Sequence, residues 1–209
     1  MTDEIGLSPE HVVEAARIAQ AALRPGMSND WSVPAGTLEW DCRRTLDHMV
    51  NSSIGYAGNL SRQSRERVRP VRNGDPAATI EELLDGLETA TTILAAVASS
   101  APAGARGFHG AGMADAQGFI AMACDEILIH AHDITQGLGL GYEPPAQLCG
   151  LVVRRLFPWA PDDTPAWATL RWLNGRGELA GYEQMGANWY WHCAPLSEWD
   201  GTVKKRDLG

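Results

Sequence analysis

FIAMACDEILIHAHDITQGLG, residues 119–139, decides how this chain is read. Phe119, Ile120, Met122, Ile127, Leu128, Ile129 and Ile134 leave almost no side of a helix for water, and a helix apolar nearly all round is a buried one. Yet Glu126, His130 and Asp133 stand within it. At about 100° per residue these three fall within roughly 60° of one another, on the side that also carries Phe119 and Met122. A buried carboxylate without a partner costs several kcal/mol or is driven to its neutral form. The stripe therefore predicts a compensating group.

A divalent cation is one such group. Glu126 and His130 are one helical turn apart and both reach one ion if their side chains converge. Zinc accepts imidazole nitrogen and carboxylate oxygen at about 2.0–2.2 Å. A third ligand has to come from another segment, and His48 is the best candidate, because it sits at the edge of an apolar stripe on an earlier helix. Two histidines and one carboxylate leave positions open for water or substrate, the pattern of a catalytic zinc site, which iron or nickel also fits. The other reading of the same spacing is a hydrogen-bonded Glu–His pair without metal. His132 points away from the stripe, His11 and His109 lie in exposed contexts, and His192 falls in a tryptophan-rich tail. Cys124 is about 200° round the helix from Glu126 and belongs to the core.

Outward from this helix, the remaining elements follow from periodicity and capping. Ser8-Pro9-Glu10 starts a first helix, with Ser8 as cap, Pro9 at the first position and Glu10 at the positive end. Val12, Ala15, Ala16, Ala19 and Leu23 form its stripe, and Pro25-Gly26 stops it. A second helix is expected from about residue 37 to about residue 60, with Leu38, Cys42, Leu46, Met49 and Val50 inward and His48 beside them near Asp41, Thr45 and Ser52. Residues 62–76 read as a loop. Thr79-x-x-Glu82 matches a capping box, ahead of Ile80, Leu83, Leu84, Leu87, Leu94 and Val97. Residues 99–112, rich in Ala, Gly and Pro, read as a flexible connection. The quoted helix runs from about 113 to about 136 and ends in good C-cap glycines. A fifth helix is expected over about 145–157, a short one over 165–173, and a strand, in a hairpin, over 188–192. Trp159, Trp167, Trp172, Trp189, Trp191 and Trp199 make the last third a packed segment.

Composition bounds the function. The 209 residues suit one domain of mainly α class, a helical bundle over about 8–138 and an extension over about 144–209. Seventeen Lys and Arg against 26 Asp and Glu give a net charge of −9, which disfavours nucleic acid and anionic membranes. The basic runs, Arg62 to Arg72 and Lys204 to Arg206, read as solvated surface. Cys42, Cys124, Cys149 and Cys193 show no paired spacing and read as buried free thiols of a reducing compartment. The N-terminus lacks the pattern of a signal peptide, and no apolar run approaches the roughly 18 residues that span a bilayer. A cytoplasmic location is expected.

Trp40-Asp41-Cys42-Arg43-Arg44-Thr45-Leu46-Asp47-His48, together with Glu126-x-x-x-His130-x-x-Asp133 and a following Leu-Gly, resembles the mycothiol-dependent maleylpyruvate isomerase family, within the wider DinB-like metalloproteins. Trp189-x-Trp191-His192-x-Ala194-Pro195-Leu196-Ser197-Glu198-Trp199 is similar to its actinobacterial members. The resemblance implies a DinB-like four-helix bundle with extra C-terminal helices and a short tryptophan-rich α/β or hairpin segment. It implies a divalent metal, usually zinc, on His48, Glu126 and His130, with Asp133 orienting a ligand or neighbouring backbone. It also implies mycothiol as cosubstrate in the isomerisation of, or thiol transfer to, a small electrophile. Full maleylpyruvate isomerases carry a further C-terminal domain that this length does not hold, so another electrophile is expected. A non-catalytic metal-binding bundle and a zinc-water hydrolase are the alternatives. Dimerisation fits a bundle of this kind.

Overall fold

Thr79 and Glu82 close the reciprocal cap that their spacing predicts. The Thr79 hydroxyl accepts the Glu82 amide, and the Glu82 carboxylate accepts the Thr79 amide at 2.7 Å. Two further helices start on one-way caps, Asp41 and Asp115, whose carboxylates accept from the amides of Arg44 and Gly118. The computed structural model describes residues 6–70, 72–186 and 188–205. It is mainly helical. In chain order it contains α1 (Glu10–Leu23), α2 (Cys42–Arg62), α3 (Ile80–Ser100), β1 (Gly107–His109), β2 (Gly112–Ala114), α4 (Ala116–Leu138), α5 (Ala146–Leu156) and α6 (Ala166–Leu173), with single 3-10 turns at Arg24–Gly26 and Leu196–Glu198.

Several boundaries differ from the sequence expectation, each for a local reason. Ser8 does not cap α1; its hydroxyl pairs with His11 Nδ1 at 2.9 Å, and Pro9 takes the cap position without a side-chain bond. α2 begins at Cys42, not near residue 37, because residues 33–42 fold back on themselves: Ala35 N–H bonds Trp40 C=O and Cys42 N–H bonds Val33 C=O. The segment expected to be a flexible connection continues α3 to Ser100 and then forms the two-stranded antiparallel hairpin β1–β2, His109 opposite Gly112. That hairpin takes Met113 and Ala114, so α4 starts at Ala116. Residues 188–192 form no strand; Trp189 makes one isolated antiparallel bridge with Lys205. Arg206, the end of the second basic run, lies outside the described residues.

The packing pairs place α2 against α3 and α4, and α1 against the same two helices. The cyclic order is thus α1–α3–α2–α4, and the links α1–α2 and α3–α4 both cross a diagonal. The inward faces are those the periodicity predicts: Val12, Ala15, Ala16, Ala19 and Leu23 on α1, Cys42, Leu46, Met49 and Val50 on α2, and Leu83, Leu84, Leu87 and Leu94 on α3, all buried. α4 is buried almost throughout and ends on Gly139 in the left-handed region, φ 68°. Among the described residues no helix is long and apolar enough to cross a membrane, and all four cysteines are buried free thiols.

α5, α6 and the tryptophan-rich segment lie on this assembly. Trp172 and Trp191 are buried, and Trp159, Trp167, Trp189 and Trp199 half-buried. The segment passes so close to α4 that a Cβ on Gly118 would stand 2.1 Å from Cys193 C=O. Buried Arg155 fastens it there, donating to the carbonyls of His192 (3.1 Å) and Cys193 (3.3 Å) and pairing with the Asp115 carboxylate that caps α4. Arg155→Met leaves two carbonyls without this donor and the Asp115 carboxylate without its cation, with the Gly118 amide still on it. We expect a loss of about 2–3 kcal/mol in urea unfolding, below the roughly 3–5 kcal/mol of a fully buried pair because Asp115 is partly exposed. An unchanged unfolding midpoint would remove Arg155 from this role.

Candidate metal centre

α2 and α4 pack side by side, and their contact brings residue 48 to residues 126 and 130. His48 Nε2 stands 3.1 Å from Glu126 Oε2, and His130 Nε2 stands 3.1 Å from the same oxygen. The two imidazole centroids are 5.2 Å apart and nearly perpendicular. The three donor atoms lie within 4.8 Å of one another and could hold a metal ion. His48 is the most open, its side chain 32% exposed against 14% for Glu126 and 12% for His130.

Surrounding groups fix the donors. Asp133 Oδ2 faces His130 Nδ1 at 3.0 Å, and Arg176 binds both oxygens of Asp133 at 3.0 and 3.2 Å. Tyr56 donates to Glu126 Oε1 at 3.4 Å, and Ser52, one turn beyond His48, approaches its Nε2 at 3.2 Å. The His48 ring meets the edge of Trp40 at 5.0 Å, and the Arg44 guanidinium sits 4.5 Å over that indole.

The geometry admits two occupants. With protons only, His130 faces a carboxylate at each nitrogen and has to be an imidazolium, donating from both. Burial pulls its pKa down, but the hydrogen bonds and charges of Asp133 and Glu126 prevail and raise it to about 9. Burial pushes Glu126 up, yet His130 and His48 bring its carboxyl well below the usual range. With a cation, His130 keeps Nδ1–H on Asp133 and presents the Nε2 lone pair, the tautomer that metal-bound histidines adopt. Donors about 2.1 Å from a shared tetrahedral ion stand roughly 3.4 Å apart, so the 3.1 Å separations need only a small expansion. The residues present therefore fit a divalent metal through two imidazole nitrogens and one carboxylate oxygen.

The sequence had singled out His48, Glu126, His130 and Asp133, and the structure brings all four together. It did not find Asp125 or Arg176. Asp125 is buried beside Glu126, held by the Asn174 amide and the Trp191 indole N–H, both at 2.9 Å. Burial pushes its carboxyl up to about 7 against those bonds. A second acid next to Glu126 on an otherwise apolar helix was the available signal. His109 is half-buried rather than exposed, because the hairpin folds its ring against Tyr56 (5.6 Å) and Trp191 (5.5 Å). His11 is half-buried against Ser8. His132 packs edge-on against Trp167 at 5.5 Å, outside the cluster.

Two spaces adjoin the cluster. A cavity of about 150 Å³ next to Glu126 and His130 is walled by Asn174, Arg176, Trp189 and Trp191. His48 opens on a second space, a cleft of about 470 Å³. The chain matches no protein-family model, no curated protein and no solved structure.

Loading the cluster displaces the Nε2 proton of His130, so metal affinity falls as pH falls below about 9. Release of one proton gives about tenfold weaker binding per pH unit. A competition titration with a chromophoric chelator between pH 6 and 8 checks this sign and slope (roughly one decade per unit for a single proton). Affinity independent of pH would show that His130 is not a ligand.

Proposed function

We propose that this chain is a DinB-like metalloenzyme that holds one divalent cation, zinc foremost and nickel or iron otherwise, on His48, Glu126 and His130. We propose further that it catalyses a thiol-dependent isomerisation of, or S-transfer to, a small electrophile, with mycothiol as the cosubstrate. One observation carries the reading. Among the described residues the cluster contains three protein donors and no fourth His, Cys, Asp or Glu, and one of the three lines an open cleft. A purely structural site is closed by four protein ligands, whereas a catalytic one keeps a position for substrate. The helix order with two diagonal links supports the bundle part of the reading.

A bound divalent ion would supply Lewis acidity and lower the pKa of a thiol at its open position. The chain's own groups prepare that position. Asp133 accepts a hydrogen bond from the Nδ1–H of His130 and so leaves the other nitrogen's lone pair to face the site. Burial pushes Asp133 upward, but the bonds from His130 and Arg176 keep it ionised. Tyr56 stays a phenol, since burial and the neighbouring Glu126 raise its pKa well above normal, and it occupies Oε1 while Oε2 faces the histidines. Trp189 and Trp191 leave only a small space beside Glu126 and His130, so a reactant of any size enters by the larger cleft beside His48.

The thiol has to come from outside. Burial pushes Cys42 up to about 11 and Cys149 to about 12, and raises Cys124 and Cys193 as well. None offers a thiolate near neutrality. An external thiol that adds to an unsaturated carbon permits rotation about the former double bond and leaves again unchanged. With a leaving group on that carbon, the thiol stays and the group departs.

Protein purified without chelators is expected to contain close to one equivalent of divalent metal by elemental analysis, and His48→Ala with His130→Ala to contain none. Metal-free protein that refuses zinc would overturn the centre. Consumption of electrophiles, followed with and without mycothiol, is expected only with the thiol. Turnover without it would support the zinc-water hydrolase, and metal without any turnover the non-catalytic alternative.

A further inference from the structure

The cleft beside His48 is basic in an acidic protein. Arg67, Arg69 and Arg72 line it, together with the amides of Asn51 and Asn59, and among the described residues no Asp or Glu does. Chance does not favour that composition in a chain with 26 acidic and 17 basic residues. The three arginines are not equivalent. Arg72 is already engaged, pairing with the Asp47 carboxylate and donating to Asn51 on α2. Gly74 lets the loop settle there: it sits at φ +87°, and a Cβ on it would fall 2.4 Å from Asp47 Oδ2. Arg72 and Gly74 thus tie the α2–α3 loop to α2.

Arg67 and Arg69 stand differently. Both are exposed, and among the described residues neither forms an ion pair or a side-chain hydrogen bond. They belong to the basic run that the sequence suggested was plain solvated surface. The loop instead carries them to the wall of a cleft that a candidate metal ligand, His48, also lines. Guanidinium groups present paired N–H donors that match carboxylate and phosphate oxygens. Walls of low polarizability concentrate their field in the space between them.

We propose that this cleft binds the anionic end of a small carboxylate- or phosphate-bearing molecule through Arg67 and Arg69, with its reacting end toward His48. The assignment of that molecule as the substrate rests on the metal-centre reading; the binding site itself does not. The loop then selects for charge at one end of the cleft while the chemistry proceeds at the other.

Calorimetric titration tests this with succinate, its neutral diamide succinamide, and inorganic phosphate, on metal-loaded and chelator-stripped protein. Succinate or phosphate is expected to bind in the millimolar range or tighter and succinamide not to bind; which anion binds tells carboxylate from phosphate. Arg67→Gln with Arg69→Gln is expected to weaken binding at least about fivefold while elemental analysis finds the metal content of the parent. Equal binding of succinate and succinamide, no binding of either anion, or unchanged affinity in the double variant would each overturn the site. Anion binding that persists in stripped protein and falls in the double variant upholds it, even where the parent proves to bind no metal; that result would sink only the substrate assignment.

Discussion

One carboxylate oxygen facing two imidazole nitrogens is the constraint around which this protein is organised. Glu126 Oε2 has His48 on one side and His130 on the other. An ionised carboxylate at that depth is tolerable only with compensating charge, and the compensation arrives from a different helix. The pairing therefore fixes more than a site. It sets the rotation of α4 about its axis, the register of α2 beside it, and the direction in which the cluster opens. A second ring of bonds, Arg176 to Asp133 to His130, holds the imidazole plane without touching the place where a ligand would sit.

Much of this was legible from residue order. The apolar faces of α1, α2 and α3 follow the 3.6-residue period, and burial agrees with it at nearly every position named. The capping box at Thr79 and Glu82 and the glycine stop at Gly139 are local chemistry, readable without tertiary knowledge. The triad was legible too, because polar groups on a helix with no polar face demand an explanation. What escaped the reading was settled by contacts distant in the chain. Asp125 finds its donors 49 and 66 residues away, and no spacing rule connects such positions. The 99–112 segment looked flexible by composition, yet its glycines serve a hairpin that packs on α2. The arginine run looked like ordinary surface because one-dimensional charge says nothing of what a loop leans against.

The two flanks of the cluster divide its labour. The tryptophan-rich segment and Arg176 line a small space on the Glu126 and His130 side. The His48 side opens on the larger cleft. Such a difference in room suits a centre at which a larger molecule meets the more exposed histidine first and the firmly held one last. The same division explains why His48 is the least enclosed of the three: it stands at the boundary between the interior and the cleft.

The bonds that satisfy Asp125 bear on when the protein can become itself during synthesis. Its partners are Asn174 and Trp191, and the arginine that steadies the cap of α4 also grips carbonyls of residues 192 and 193. A nascent chain that has emerged only through α4 holds its most apolar helix with an unsatisfied acid inside. The early helices can associate, but the central one stays incomplete until residues 174–193 leave the ribosome. Maturation of the centre is thereby tied to synthesis of residues 174–193, and a product terminated before them would lack a finished interior.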